Sequence, residues 1–297
     1  MIGEPRGGPW RWTPARSGAP TAAAATLLAA LSLSGAAAGG EARQEPPYLG
    51  PDGRPLSFTS DAEVEEFLRT AALAGGERQP VGLNRSRKVL LAKEGLRAHA
   101  IFRNVSLVEE GAPGDLRDSY LSEVAAYEMA RLLGLEWVPP AVLREVEGSR
   151  GSLQLWIEQG MSDAARRRRG LEVPDAERFH RQLQVMHVFD NLIANRDRNP
   201  GNILLGPHGR LWLIDHTRSF GSSTALRSPD YVTGCERTVW ERLRSLDRRE
   251  VRRRLGPYVE EAEMGALFRR WEQLVATLEA RIRQHGEGEV VFDLATL

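Results

Sequence analysis

Two carboxylates and an amide stand within one short stretch of this chain, residues 190–220, which reads DNLIANRDRNPGNILLGPHGRLWLIDHTRSF: Asp197, then Asn202, then Asp215. Hard oxygen ligands of this kind suit Mg²⁺, which proteins usually hold through one or two carboxylates together with substrate phosphates. The residue types therefore point to phosphoryl transfer. For that, the three side chains must meet, and the local sequence provides the means. An apolar helix end (Leu192, Ile193) runs into the polar loop 195–202, followed by two apolar runs, 203–205 and 211–214. Gly206-Pro207-His208-Gly209 between them has the composition of a hairpin turn. Closing that hairpin brings Asp197, Asn202 and Asp215 to one end of it.

The elements before this stretch are strand-rich. Ser60-Asp61-Ala62-Glu63 carries a capping-box pattern and predicts a helix running to Ala74, where Gly75-Gly76 stops it. Residues 88–92 and 97–103, with a turn at 93–95, read as an antiparallel hairpin. A flexible loop at 111–114 precedes a helix over 118–134, capped by Asp118 or Ser119, with Glu123 in its first turns. Extended segments follow at 137–146 and 152–158. From Ser162 the character changes: a polar Arg-rich loop (166–169), a long helix to about Ala194, the hairpin, a polar segment at 222–234, and helical patterns over 236–246, 247–255 and 260–284. The reading is an α+β chain with a strand-rich first lobe (81–160) and a mostly helical second lobe (161–297), preceded by a linker and helix (39–80).

Composition narrows the function. Of 297 residues, 40 are Lys or Arg and 40 are Asp or Glu, so the formal net charge is zero and no nucleic-acid partner is expected. Lys88 and Lys93 are the only lysines. The single cysteine, Cys235, excludes an internal disulfide and any multi-cysteine zinc site. At the N-terminus, Arg6, Arg11 and Arg16 precede an apolar segment (22–33) and a small-residue run, the order of a secretory signal peptide cleaved after Ala38. The chain is then exported to a secretory, periplasmic or extracellular compartment, with no membrane span in its mature form. Without leader function it is cytoplasmic.

Taken together, the lobe order and the motifs resemble the protein-kinase-like superfamily. Asp197-Arg198-Asn199-Pro200-Gly201-Asn202 is similar to its catalytic loop, in which an aspartate is followed five residues later by a metal-binding asparagine. Asp215-His216-Thr217 is similar to its metal-binding aspartate motif. Residues 192–204 most resemble the atypical branches: phosphatidylinositol 3-/4-kinase-like, HipA-type and secretory-pathway casein-kinase-like. The resemblance implies a bilobal kinase-like fold and ATP with Mg²⁺ or Mn²⁺ as cofactors. It also implies Asp197 as the residue that orients or deprotonates an acceptor hydroxyl, Asn202 and Asp215 as metal ligands, and Glu123 as partner of the phosphate-gripping cation. Where the family has lysine, this chain has Arg103; Lys88, one strand earlier, is the alternative cation. The acceptor is a hydroxyl on protein, sugar or lipid. Arginine at position 103 equally admits a pseudokinase, the same fold used as a nucleotide- or protein-binding module.

Other residues carry plainer expectations. Arg196, Arg198 and Arg218 flank the metal site and are candidates to neutralise phosphate or hold a substrate anion. His187 and His216 read as satisfied or solvent-facing side chains, since no HExxH-like pair supports a transition-metal site. Trp137, Trp156 and Trp212 read as core or pocket walls.

Overall fold

The structure, a computed structural model, describes residues 48–74, 80–81, 86–109, 116–206 and 209–294. The expected leader, the loop at 111–114, and Pro207 with His208 lie outside the described residues. Helix α1 (Asp61–Thr70) starts where Ser60 accepts the backbone N–H of Glu63 on its hydroxyl, while the Glu63 carboxylate reaches back to Thr59. It ends at Thr70, short of the predicted Ala74. Ala72 and Leu73 instead form strand β1 (Ala72–Leu73), pairing with Ala92 and Leu91. An edge strand offering free hydrogen bonds overrides the helical pattern there.

Strands β2 (Pro80–Val81), β3 (Ser86–Lys93), β4 (Leu96–Arg103), β7 (Ala141–Val146) and β8 (Ser149–Leu155) join β1 in one antiparallel sheet, ordered β1-β3-β4-β8-β7 with β2 on β3. Period-two alternation gives this sheet two different faces. Leu91, Ala98, Ala100, Phe102, Leu153 and Leu155 share a core with Val64, Phe67 and Leu68 of α1. The opposite face carries Lys88, Ile101, Arg103, Ser152 and Gln154, in cross-strand register Lys88↔Ile101↔Gln154 and Arg103↔Ser152. The polar residues of the strand-rich lobe therefore collect on the face turned away from α1. Gly151 sets how closely β8 approaches β4: a Cβ there would lie 2.2 Å from the Arg103 carbonyl and 2.7 Å from the Phe102 ring.

A short hairpin, β5 (Ser106–Glu109) with β6 (Leu116–Ser119), leads into helix α2 (Tyr120–Leu132). Ser119 caps α2 by accepting the N–H of Leu121. Its own N–H donates to the Thr217 carbonyl at 2.9 Å, and the Ser122 hydroxyl donates to the Ser219 carbonyl at 3.2 Å. The first turn of α2 is thus stitched to the segment after Asp215.

The second lobe begins with β9 (Met161–Ser162) and α3 (Asp163–Arg168). The arginine run expected as a solvated loop is mostly helix: Ser162 caps it, and buried Asp163 pairs with both Arg166 and Arg167 at 2.7 Å. Helix α4 (Ala176–Leu192) leads to the hairpin β10 (Ile203–Leu205) and β11 (Leu211–Leu213), with Ile203 opposite Leu213. Behind it lie β12 (Cys235–Glu236), α5 (Arg237–Ser245), α6 (Arg248–Leu255), α7 (Glu261–His285) and β13 (Val291–Phe292), the last pairing in parallel with β12. Phe189 and Leu192 of α4, Leu213 of β11, and Leu267 and Leu274 of α7 share the larger core with Val124 and Tyr127 of α2. One apolar body therefore fixes α2, the loop after α4 and the hairpin together. No helix among the described residues is long and apolar enough to cross a membrane.

Candidate active site

The loop after α4 is held by its own polar groups. Ala194 takes a positive φ of 52°, turning the chain so that Asn195 donates from Nδ2 to Asp190 Oδ1 at 3.0 Å and accepts the N–H of Asp197. The Asp197 carbonyl accepts Nδ2 of both Asn199 (3.0 Å) and Asn202 (2.9 Å). Committing its nitrogen this way turns the Asn202 amide oxygen into the free, metal-competent atom of that side chain. Asn202 also accepts the N–H of Ile214 on its carbonyl at 3.2 Å, so Asp215 begins where Asn202 stands. The hairpin thereby brings Asp197, Asn202 and Asp215 to one end of it.

Arg198 occupies the centre of this arrangement rather than its rim. Its guanidinium donates to both carboxylate oxygens of Asp190 (2.9 and 3.0 Å), to the carbonyls of Asn202 (2.6 Å) and Ile214 (3.0 Å), and to His216 Nε2 (2.9 Å). The side chain is 8% exposed. The expectation that Arg198 reaches phosphate or a substrate anion is therefore corrected: every edge of its fork is used inside the fold. Arg218, by contrast, is half-buried, donates to Asp118 at 3.1 Å and lies 3.8 Å from Asp197 Oδ2.

The cation side comes from β4 and α2. Arg103 Nε lies 3.6 Å from Glu123 Oε1 and 3.9 Å from Asp215 Oδ1, in a pocket where Arg103 is 5% and Glu123 0% exposed. Glu123 Oε1 also accepts the backbone N–H of His216 at 2.8 Å. Burial by itself pushes the Glu123 carboxyl up, but Arg103 and the ring and backbone of His216 outweigh it and hold the group down at about 2. Asp215 goes the other way: burial, with the nearby charge of Glu123, raises it above the ordinary carboxylate range despite Arg103, His216 and the Thr217 hydroxyl. Its backbone sits in the left-handed region, φ 58°, which Asp tolerates better than most residues. Lys88 is not brought to this cluster. Its ammonium lies over the Trp156 ring at 4.3 Å and 3.7 Å from Glu158, which also binds His99. Burial lowers its pKa against the pull of Glu158.

Two participants were missed by sequence reasoning. His216 is fully buried, edge-on to Phe189, and its Nδ1 faces Glu123 Oε2 at 3.6 Å. Asp190 anchors the loop through Arg198 and Asn195. The available signal was the position of Asp190 at the polar end of an otherwise apolar helix terminus. Among the described residues, no group of three or more His, Cys, Asp or Glu forms a metal site unaided. One carboxylate and one amide need further oxygens, which is the donor set of a cation that shares its coordination with phosphate.

A two-lobed chain with this sheet, this helix and this hairpin matches solved structures over most of its length. Hydra Fam20, solved with sugar, is 16% identical, with a TM-score of 0.60 over 80% of this chain and 94% of that one. The Golgi casein kinase, solved with Mn and ADP bound, is 13% identical with a TM-score of 0.56 over 78% of each chain. The fold is protein-kinase-like. It is a bilobal α+β arrangement like that of those two structures. In sequence, protein Rv2133c of Mycobacterium tuberculosis is 30% identical over 181 residues, 49% of this chain and 64% of that protein, so the match spans less than two thirds of the relative. No family model matches the chain.

Proposed function

We propose that the chain is an atypical kinase that moves the γ-phosphoryl group of ATP to a hydroxyl acceptor with Mg²⁺ or Mn²⁺. The observation that carries this reading is Arg103. Its Nη1 is buried with no hydrogen-bond partner, in a guanidinium on the polar face of the sheet whose Nε lies 3.9 Å from the carboxylate of Asp215. A buried guanidinium nitrogen left unpaired is costly, and a phosphate oxygen is the partner that satisfies it. Asn202 and Asp215 would hold the metal, whose charge stabilises that building on the transferring phosphoryl group. Asp215, raised by burial and by Glu123, gains its most favourable counter-charge from such a cation. Asp197, partly exposed, would accept or orient the acceptor proton, with Arg218 holding its carboxylate. Glu123 would keep Arg103 in place.

Incubation with γ-radiolabelled ATP, Mg²⁺ or Mn²⁺ and panels of protein, glycan and lipid hydroxyls tests this. The expected result is metal-dependent label transfer that Asp215→Ala abolishes. Equal background from wild type and Asp215→Ala would end the enzyme reading. The second reading, a nucleotide-binding pseudokinase, is favoured by one observation: Arg103 stands between two carboxylates where the superfamily has lysine. Nucleotide-dependent thermal stabilisation without transfer would select it. Export of the mature chain goes with either reading.

A further inference from the structure

We propose that His216 is a positioning residue that ties the carboxylate of α2 to the loop carrying Asp197 and Asn202. This rests on the kinase reading for its catalytic consequence, but its geometry is independent of it. Arg198 Nη2 approaches His216 Nε2 at 2.9 Å. Arginine has only donors, so Nε2 must be the acceptor and the ring proton sits on Nδ1. That proton faces Glu123 Oε2 at 3.6 Å. At that distance the two are in contact without a formed hydrogen bond, neither atom has a hydrogen-bond partner, and both residues are fully shielded from solvent, so each is the partner the other lacks. The ring therefore has one donor and one acceptor, and each is aimed at a different part of the site.

On the acceptor side, Arg198 is fixed by Asp190 and by the carbonyls of Asn202 and Ile214. On the donor side, Glu123 also accepts the His216 backbone N–H and forms an ion pair with Arg103, whose Nε lies 3.6 Å away. The line Asp190, Arg198, His216, Glu123, Arg103 thus runs from the end of α4 to the sheet of the other lobe. A phenyl ring would fill the same space and carry neither the bond to Arg198 nor the polar contact with Glu123. The tautomer matters as much as the shape. With the proton on Nε2, two N–H groups would face each other across 2.9 Å while Glu123 Oε2 met a lone pair.

Three substitutions separate the two arms. Asn at 216 places an amide near Nδ1 and keeps the arm to Glu123; Gln reaches the Nε2 position and keeps the arm to Arg198; Phe keeps neither. Hydrogen exchange should show roughly tenfold or faster exchange in α2 for His216→Gln, in loop 195–202 for His216→Asn, and in both for His216→Phe. In the transfer assay, kcat should fall by about tenfold or more in His216→Phe while the nucleotide KM stays within about threefold, with partial rescue by Asn or Gln. ¹⁵N-histidine spectra of the wild type should show the proton of His216 on Nδ1. Wild-type exchange in both elements of the Asn and Gln variants, or a proton on Nε2, would overturn the proposal. Should His216→Phe fail to fold, the Asn and Gln variants still decide. A wild type without transfer activity removes the kinase reading alone, because exchange and tautomer are read without nucleotide.

Discussion

Replacing Arg103 by Met keeps a stem of similar length and removes the guanidinium from between Glu123 and Asp215. Glu123 then retains only the backbone N–H and ring of His216, 2.8 and 3.6 Å away. Stranding one partner of a buried ion pair costs about 3–5 kcal/mol, and the surviving His216 contacts place this case near the lower end. The depressed acidity gives a similar scale. A fall from the ordinary 4.5 to about 2 corresponds to roughly 3 kcal/mol at about 1.4 kcal/mol per pH unit. At this chain length the melting temperature should drop by about 6–12 °C.

The pH dependence has a definite sign. A carboxyl held down in the fold contributes stability in full above its unfolded pKa and loses it as pH falls towards its folded value. The wild type should therefore lose this contribution between about 4.5 and 2. In Arg103→Met, burial dominates, the carboxyl rises, and the deficit is largest at neutral pH and closes on acidification. Neutralising the stranded partner in Arg103→Met with Glu123→Gln should recover at least about 1–2 kcal/mol. Urea or thermal unfolding across pH measures all of this. A single variant within about 1 kcal/mol of wild type at pH 7, or a gap that widens in acid, would refute Arg103 as the counter-ion.

Gly151→Ala should destabilise by about 1–3 kcal/mol in urea unfolding, because the new methyl meets the Arg103 carbonyl at 2.2 Å and forces β8 away from β4. Metal binding in the presence of nucleotide, followed by calorimetry, should weaken by about tenfold per pH unit below the raised pKa of Asp215, starting at a higher pH than an ordinary carboxylate would give; a flat profile down to pH 4 would contradict this. Arg198→Lys should fail to restore the stability lost in Arg198→Ala, about 3–5 kcal/mol, since an ammonium group cannot serve Asp190, two carbonyls and His216 together. If the leader is cleaved as expected, mass spectrometry of the chain from its native host should find a mature N-terminus after Ala38, and an intact Met1 would rule out cleavage there.

The hairpin and its three oxygen-bearing side chains were legible because the relation is local: Asn202 and Asp215 flank two short strands with a turn composition between them, and register does the rest. Arg198 was misread for a physical reason. Beside a candidate catalytic aspartate, a guanidinium resembles a phosphate ligand, and its actual partners lie eight residues back and eighteen forward, at Asp190 and His216. His216 was passed over because the usual fate of a lone histidine is a bland one, and only the packing of α2 against the segment after Asp215 makes it central. The arginine run at 166–169 has no apolar period to mark a helix; α3 exists because Ser162 caps it and its buried first residue, Asp163, neutralises two of the charges. The hairpin of β5 and β6, and the parallel pair β12 and β13, rest on strands of two to four residues, too short for a periodic signal.

The stitching of α2 has a consequence for control. Ser119 and Ser122 bind the carbonyls of Thr217 and Ser219, and Glu123, one residue on, binds the N–H of His216. Swinging α2 outward would break these bonds at once and strand a buried carboxylate, an opening that costs several kcal/mol before any gain. Kinase-like proteins that are switched by moving this helix depend on its leaving cheaply. In this chain the ion pair and the loop 195–202 are assembled by the fold itself, so under the proposed kinase reading its output would follow the supply of nucleotide, metal and acceptor rather than a signal received at α2.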